Sequence, residues 1–106
     1  MPRLVRRRYI GVRVESQREL EGRGLAAALS GSLVRLFGEY GASLADLRLV
    51  DYQPESRCAI FRCNHRAVEM VRASIAALRD VDGEKTALRV VYVSGTLKAL
   101  RKRLIQ

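Results

Sequence analysis

Cysteine and histidine are scarce in this sequence, with two of the first and one of the second among 106 residues. Three such side chains cannot complete a four-ligand zinc site from Cys and His alone. A disulfide scaffold does not suit a chain that is expected to stay inside the cell. Proline is also rare, with two residues, and a composition 48% hydrophobic and 29% charged reads as globular rather than disordered. No apolar stretch approaches the ~20 residues that cross a bilayer, so no transmembrane helix and no membrane partner are expected. The opening Met1–Val12 lacks the apolar segment of roughly 7–15 residues that a secretory signal carries, so none is expected. What remains is one small domain, residues 1–106, expected to be soluble and cytoplasmic. A chain of this length buries roughly 65% of its unfolded surface.

Acidic residues are missing from both ends. Residues 1–13 hold Arg3, Arg6, Arg7, Arg8 and Arg13 without an acid, which is +5. Residues 97–106 hold Lys98, Arg101, Lys102 and Arg103 without an acid, which is +4. The 83 residues between them carry 11 basic and 11 acidic groups and sum to zero. The whole formal charge of +9 therefore lies in the two ends.

Apolar periodicity orders the chain. From Arg8 to Glu15, Ile10, Val12 and Val14 alternate with Tyr9, Gly11 and Arg13, which predicts a strand with one buried face. Leu25, Leu29, Leu33, Leu36, Phe37 and Tyr40 recur at steps of three and four, which predicts an amphipathic helix over 25–40 ended by Gly41 in a left-handed cap. Residues 47–52 and 57–63 read as a hairpin around Gln53-Pro54-Glu55-Ser56. Asn64 is placed to cap a second helix, marked by Val68, Val71, Ile75 and Leu78 and broken at Asp82-Gly83. A strand over 87–93, a turn at Ser94-Gly95-Thr96 and a short helix carrying Leu97, Leu100 and Leu104 complete the chain.

The order βαββαβ plus a basic C-terminal helix predicts an α+β fold, a ferredoxin-like or RRM-like sandwich with one antiparallel four-stranded sheet. Its expected strand order, 4-1-3-2, sets the start of the first strand beside the end of the fourth. Arg6–Arg8 and the Lys98–Arg103 helix should then meet at one sheet edge.

Such a patch is the usual footprint of a polyphosphate partner, and nucleic acid is the reading preferred over an acidic membrane surface or protein, or simply solvated chain ends. Five to nine groups displacing counterions from a single strand give a log–log salt slope of roughly −3.5 to −6. Arginine outnumbers lysine, 17 to 3, which suits forked phosphate contacts and also follows from GC-rich codon usage. Lys98, Arg101 and Lys102 share a helical face, and Ser94, Gly95 and Thr96 either hold a phosphate at the helix start or simply cap it. An RRM-like stacking surface is poorly supplied: Tyr9 and Phe61 are the only aromatics in the first and third strands, and Phe61 fits a core position better. His65 stands alone at a strand–helix junction. Cys58 and Cys63 face opposite sides of a strand and cannot pair. Asp80, Asp82 and Glu84 read as an acidic turn around Gly83 rather than a cation site. No catalytic residues, metal ligands or cofactor-binding residues are therefore expected in this chain.

Five segments, in order, resemble the archaeal ribonuclease P protein component 2 family. They are Arg8-Tyr9-Ile10, Leu36-Phe37-Gly38-Glu39-Tyr40-Gly41, Phe61-Arg62-Cys63-Asn64, Val71-Arg72-Ala73-Ser74 and Val93-Ser94-Gly95-Thr96. The resemblance spans Arg8 to Leu104. It implies a subunit of the endonuclease that removes 5′ leaders from precursor tRNA, in which the RNA subunit carries the chemistry with bound Mg²⁺. It implies ribonuclease P RNA and protein component 3 as partners, precursor tRNA indirectly, and a homodimer inside a heterotetramer. Arg6, Arg7, Arg8, Lys98, Arg101 and Lys102 are then the expected phosphate contacts, with Ser94, Gly95 and Thr96 as an anion-holding turn. The exposed part of helix 25–40, including Tyr40, is a candidate face for a protein partner. Two other readings keep the same fold: a ribosomal or other structured-RNA-binding protein, and a regulatory domain binding a small anion.

Overall fold

A computed structural model describes residues 6–105; Arg3 of the basic N-terminal run lies outside them. Strand β1 (Arg7–Glu15) is followed by helix α1 (Gly22–Ala45), strands β2 (Arg48–Gln53) and β3 (Cys58–Asn64), and helix α2 (Val68–Ala77). Two-residue strands β4 (Asp80–Val81) and β5 (Glu84–Lys85) then precede β6 (Ala87–Ser94) and helix α3 (Leu97–Ile105). The large sheet runs β2-β3-β1-β6, the ferredoxin-like order expected from the sequence, with β6 as its fourth strand. No helix among the described residues is long and apolar enough to cross a membrane.

Alternation along the strands decides what is buried. Ile10, Val12 and Val14 of β1 point to the same side as Ala59, Phe61 and Cys63 of β3, against Leu25 and Leu29 of α1 and Val71 and Ile75 of α2. Fully burying such a side chain stabilises the fold by about 1.5–3 kcal/mol. Phe61 is completely buried on this side, as expected of a core residue. Where α1 and α2 meet, the buried Ser32 hydroxyl donates to the Ser74 carbonyl at 2.9 Å, and the Ser74 hydroxyl donates to Met70 at 2.9 Å. At the other sheet end the Tyr52 hydroxyl donates to the Leu20 carbonyl at 2.7 Å, fastening the β1–α1 loop.

Three local expectations need correction. Gly41 does not end the first helix. The chain breaks at Gly38 instead, with φ 78° and ψ 170°, and turns helical again to Ala45, where Asp46 supplies the left-handed cap. Gly38 occupies a region that is essentially glycine-only. Gly41 serves close packing, since a Cβ there would lie 3.0 Å from Phe37 Cβ and 3.2 Å from Met70 Cε. The second helix does not run to Asp82-Gly83 either. It stops at Ala77, because extended backbone at Leu78 lets both Leu78 and Val81 reach the core. Asp82 (φ 50°) and Gly83 (φ 83°) then form the two-residue tip of the β4–β5 hairpin. Positive φ at both tip residues is the type I′ arrangement that Asp-Gly favours. Finally, Arg57 belongs to the turn rather than the strand, with φ 57° and its guanidinium donating to the Ser16 carbonyl at 2.6 Å.

Gly38→Ala should destabilise the domain by about 1–3 kcal/mol, because the break at Gly38 has no substitute conformation for an L-residue. Urea unfolding measures it; an unchanged midpoint would show that α1 can run straight through this position.

Candidate nucleic-acid interface

The central position of β1 brings the basic ends together. Tyr9 of β1 lies directly opposite Ser94 of β6, so the start of one strand adjoins the end of the other. The Arg8 guanidinium reaches this corner, with Nη1 3.7 Å from where a Gly95 Cβ would stand. The Arg6 carbonyl accepts from the His65 amide at 2.9 Å, which ties the chain before β1 to the turn that opens α2. Asn64 caps that turn, its Oδ1 accepting from the Arg66 amide at 3.1 Å. Arg6, Arg7, Arg8, Ser94, Gly95, Thr96 and the first turn of α3 thus share one edge. Alternation divides the arginines, however: Arg7 lies on the side of Tyr9, while Arg8 lies on the side of Ile10.

Helix α3 does not stand away from this edge. It lies across the sheet face opposite α1 and α2, with Leu100 fully buried. Gly11 makes this possible. A Cβ at Gly11 would lie 3.0 Å from Leu100 Cδ1 and 3.3 Å from Leu104 Cδ2. Ile60, opposite Gly11 on β3, is buried on the same side. With Leu97, Leu100 and Leu104 inward, a turn of 3.6 residues places Lys98 and Lys102 outward and Arg101 and Arg103 on opposite flanks. The contacts agree. Arg101 pairs with Asp51 of β2 at 3.5 Å, and the Arg103 guanidinium lies 4.4 Å from the Tyr92 ring centroid on β6. Both contacts help to hold α3 down. Exposed pairs of the first kind contribute about 0.2–1 kcal/mol, and a cation over an exposed ring about 0.5–1 kcal/mol. Near the far end of α3, a cavity of about 310 Å³ is lined in part by Cys58, Ile60 and Leu104.

The turn before α3 is largely satisfied internally. The Ser94 hydroxyl oxygen accepts from the Thr96 amide at 3.2 Å, and Thr96 Oγ1 accepts from the Ala99 amide at 3.2 Å. Of the sequence-predicted contacts, Arg6, Arg8, Lys98 and Lys102 make no ion pair among the described residues. Arg101 is drawn toward Asp51, and Arg7 lies 3.8 Å from Asp46. Two arginines that the charge count passed over, Arg48 and Arg62, face each other across β2 and β3 near this corner. Strand alternation was the signal for them, but only the register shows that they are opposed.

The other candidates have structural partners. His65 Nδ1 lies 3.1 Å from the Arg6 carbonyl, and Glu84 pairs with Arg18 at 3.7 Å. Among the described residues, no three of His, Cys, Asp and Glu gather as a metal site. Cys58 and Cys63 are free, and strand alternation sets them on opposite sheet faces.

Residues 8–105 match the model of the Rpp14/Pop5 family. The chain belongs to that family. Among curated relatives, ribonuclease P protein component 2 of Pyrococcus abyssi is 30% identical over 98 residues, covering 92% of this chain and 83% of the relative. The protein of the same name from Archaeoglobus fulgidus is 31% identical over 101 residues, covering 95% and 90%. A chain in the cryo-electron microscopy structure of yeast ribonuclease MRP shares the fold with a TM-score of 0.72 and 14% identity, covering 99% of this chain and 92% of that one. The resemblance expected from the five segments is thus borne out across nearly the whole chain.

Within this Rpp14/Pop5 fold the two thiols should behave differently. Cys63 is 1% exposed, and burial pushes its thiol up to about 11. At pH 8 a disulfide reagent should modify Cys58 while sparing Cys63, and both should react in urea. The unfolded Cys63 thiol ionises near its ordinary 9.0, so its folded, neutral form adds stability below that pH. That contribution is lost as pH rises through about 11. Cys63→Ala should flatten this alkaline loss, as read by urea unfolding at pH 8 and pH 10; an equal loss in the variant would assign it elsewhere.

Proposed function

We infer that this chain is a protein subunit of ribonuclease P, assisting the catalytic RNA in the endonucleolytic removal of 5′ leaders from precursor tRNA. The observation that carries the reading is the basic edge where β1 begins and β6 ends, in a chain whose family relatives are named ribonuclease P protein component 2. The chemistry, in this reading, belongs to the RNA and its Mg²⁺. The protein contributes fixed positive charge. Folded RNA must bring phosphate backbones together, and cations held on a rigid edge lower that repulsion without the entropy cost of localising free ions. Arg6, Arg7, Arg8, Lys98 and Lys102 are the assigned contacts, with Arg101 released from Asp51 when RNA approaches. Ser94, Gly95 and Thr96 shape the corner, where the Thr96, Ala99 and Leu100 amides are already taken within the chain.

Protein component 3 is the partner this reading assigns to the opposite layer. Leu36, Phe37, Tyr40 and Leu44 of α1 are all exposed, Tyr40 by 79%. Several large apolar side chains left on one helix suit a protein interface. The surfaces for RNA and protein then lie on opposite sides of the sheet, and two copies of each protein assemble as a heterotetramer in the cytoplasm.

Reconstitution with an archaeal ribonuclease P RNA and component 3 tests the reading. Adding this chain should raise precursor cleavage at low Mg²⁺ and lower the Mg²⁺ needed for half-maximal rate; no gain at any Mg²⁺ would refute it. Replacing Lys98 and Lys102 together with Gln should flatten the RNA salt slope by about 1.4–1.8 while the melting temperature holds. Tyr40→Glu should weaken capture of component 3 and leave RNA affinity unchanged; the reverse pattern would exchange the roles of the two faces.

A further inference from the structure

The open sheet face carries an arrangement of arginines that the fold itself does not explain. Arg62 of β3 lies directly opposite Arg48 of β2 on one side and Tyr9 of β1 on the other. Directly opposed residues of an antiparallel pair share a face with Cβ atoms about 4.5–5.5 Å apart, and like charges placed so destabilise the sheet. Arg7 stands on the same face one alternation step beyond Tyr9. Asp46 lies 3.4 Å from Arg48 Nε and 3.8 Å from Arg7 Nη2, so one carboxylate serves two guanidinium groups. Arg62 makes no ion pair among the described residues, and its buried Nε has no hydrogen-bond partner there. A buried, unpartnered donor on a charged group is costly in a native protein and calls for a reason.

A second opposed pair on this face shows the difference. Arg13 and Arg89 are also cross-strand partners, but both are exposed and Arg89 pairs with Glu15 at 3.3 Å. A carboxylate reaches one member of each pair, but both Arg13 and Arg89 are open to solvent, whereas Arg62 is half-buried. Among the described residues, no carboxylate pairs with Arg62. An anion seated between Arg48 and Arg62 would screen their repulsion and give the Arg62 fork an acceptor. Arg48 is exposed, and Arg62 and Tyr9 are half-buried, so the position opens to solvent.

We propose that Arg48 and Arg62 form a site for one backbone phosphate of RNA, with Tyr9 as the surface against which the adjoining nucleoside packs. The proposal rests on the chain acting as an RNA-binding subunit and adds residues from the charge-neutral middle of the sequence. Forked guanidinium groups match phosphate oxygens in pairs, which a lysine in either position does not. Helix α3 covers Gly11 and Ile60, the next positions along β1 and β3, so the face accommodates one nucleotide rather than a stacked strip. The site is therefore a single anchoring contact beside the basic edge.

The test uses the full chain and an archaeal ribonuclease P RNA, with affinity measured across a salt series and melting measured in parallel. Arg62→Gln should bind about tenfold more weakly, the loss expected for one charge-assisted contact. Its salt slope should be shallower by about 0.7–0.9, and its melting temperature equal or higher, because an opposed charge is gone. Arg62→Lys should keep the slope and bind with intermediate affinity. Arg48→Gln, at an exposed position, should weaken binding in the same sense and decides the matter if Arg62→Gln melts lower. Arg89→Gln should change neither affinity nor slope. Normal affinity and slope in both Arg48→Gln and Arg62→Gln, while the Lys98 and Lys102 double replacement weakens binding, would overturn the site and leave the subunit reading standing. No affinity of the unmodified chain for the RNA would overturn both.

Discussion

The pairing of β1 with its two neighbours is the constraint on which the rest of the structure depends. As a central strand, β1 carries Ile10, Val12 and Val14 into the core and places Tyr9 beside Ser94. Two segments at opposite ends of the sequence become neighbours through this one antiparallel ladder. Its single glycine then decides what happens on the other face. Gly11 leaves room for Leu100 and Leu104, and α3 lies on the sheet instead of projecting from it.

That placement changes how the C-terminal charge is used. As a free amphipathic helix, α3 would present its whole basic side to a partner. Laid on the sheet, it divides its cations three ways. Lys98 and Lys102 face outward, Arg101 reaches Asp51, and Arg103 covers Tyr92. Tyr92 is thereby removed as a base-stacking surface, which fits recognition of RNA through its backbone rather than through a strip of aromatic rings. The charge pattern of the domain then follows from position. The +9 total describes the ends, while individual arginines inside the neutral middle act according to which carboxylate they can reach.

Much of this was legible in the sequence. Alternation in β1 and β3 and three-to-four spacing in α1 and α2 established the element order, and that order carried the sheet topology. The misses have local causes. Leu78 continues the spacing of Val71 and Ile75, so periodicity carries the helix up to Asp82-Gly83, although the chain already leaves it at Ala77. Of two nearby glycines, only Gly41 follows the last apolar position of the helical pattern, and periodicity cannot tell a glycine needed for φ from one needed for contact. The resting place of α3 was not legible. Its leucines showed that one side is buried but not against what, and Gly11 acquires meaning only once Leu100 lies over it. The opposition of Arg48 and Arg62 depends on a register shift between Leu49 and Asp51 that no spacing rule announces.

The central claim is that RNA meets the protein at the edge where β1 begins and α3 starts. The three lysines of the chain test it directly, because Lys98 and Lys102 lie at that end and Lys85 lies near the start of β6, at the other. Lysine acylation read by mass spectrometry, with and without the catalytic RNA, reports all three at once. Protection of Lys98 and Lys102 with Lys85 still reactive is the predicted result. Protection of Lys85 with Lys98 and Lys102 left reactive would contradict the account.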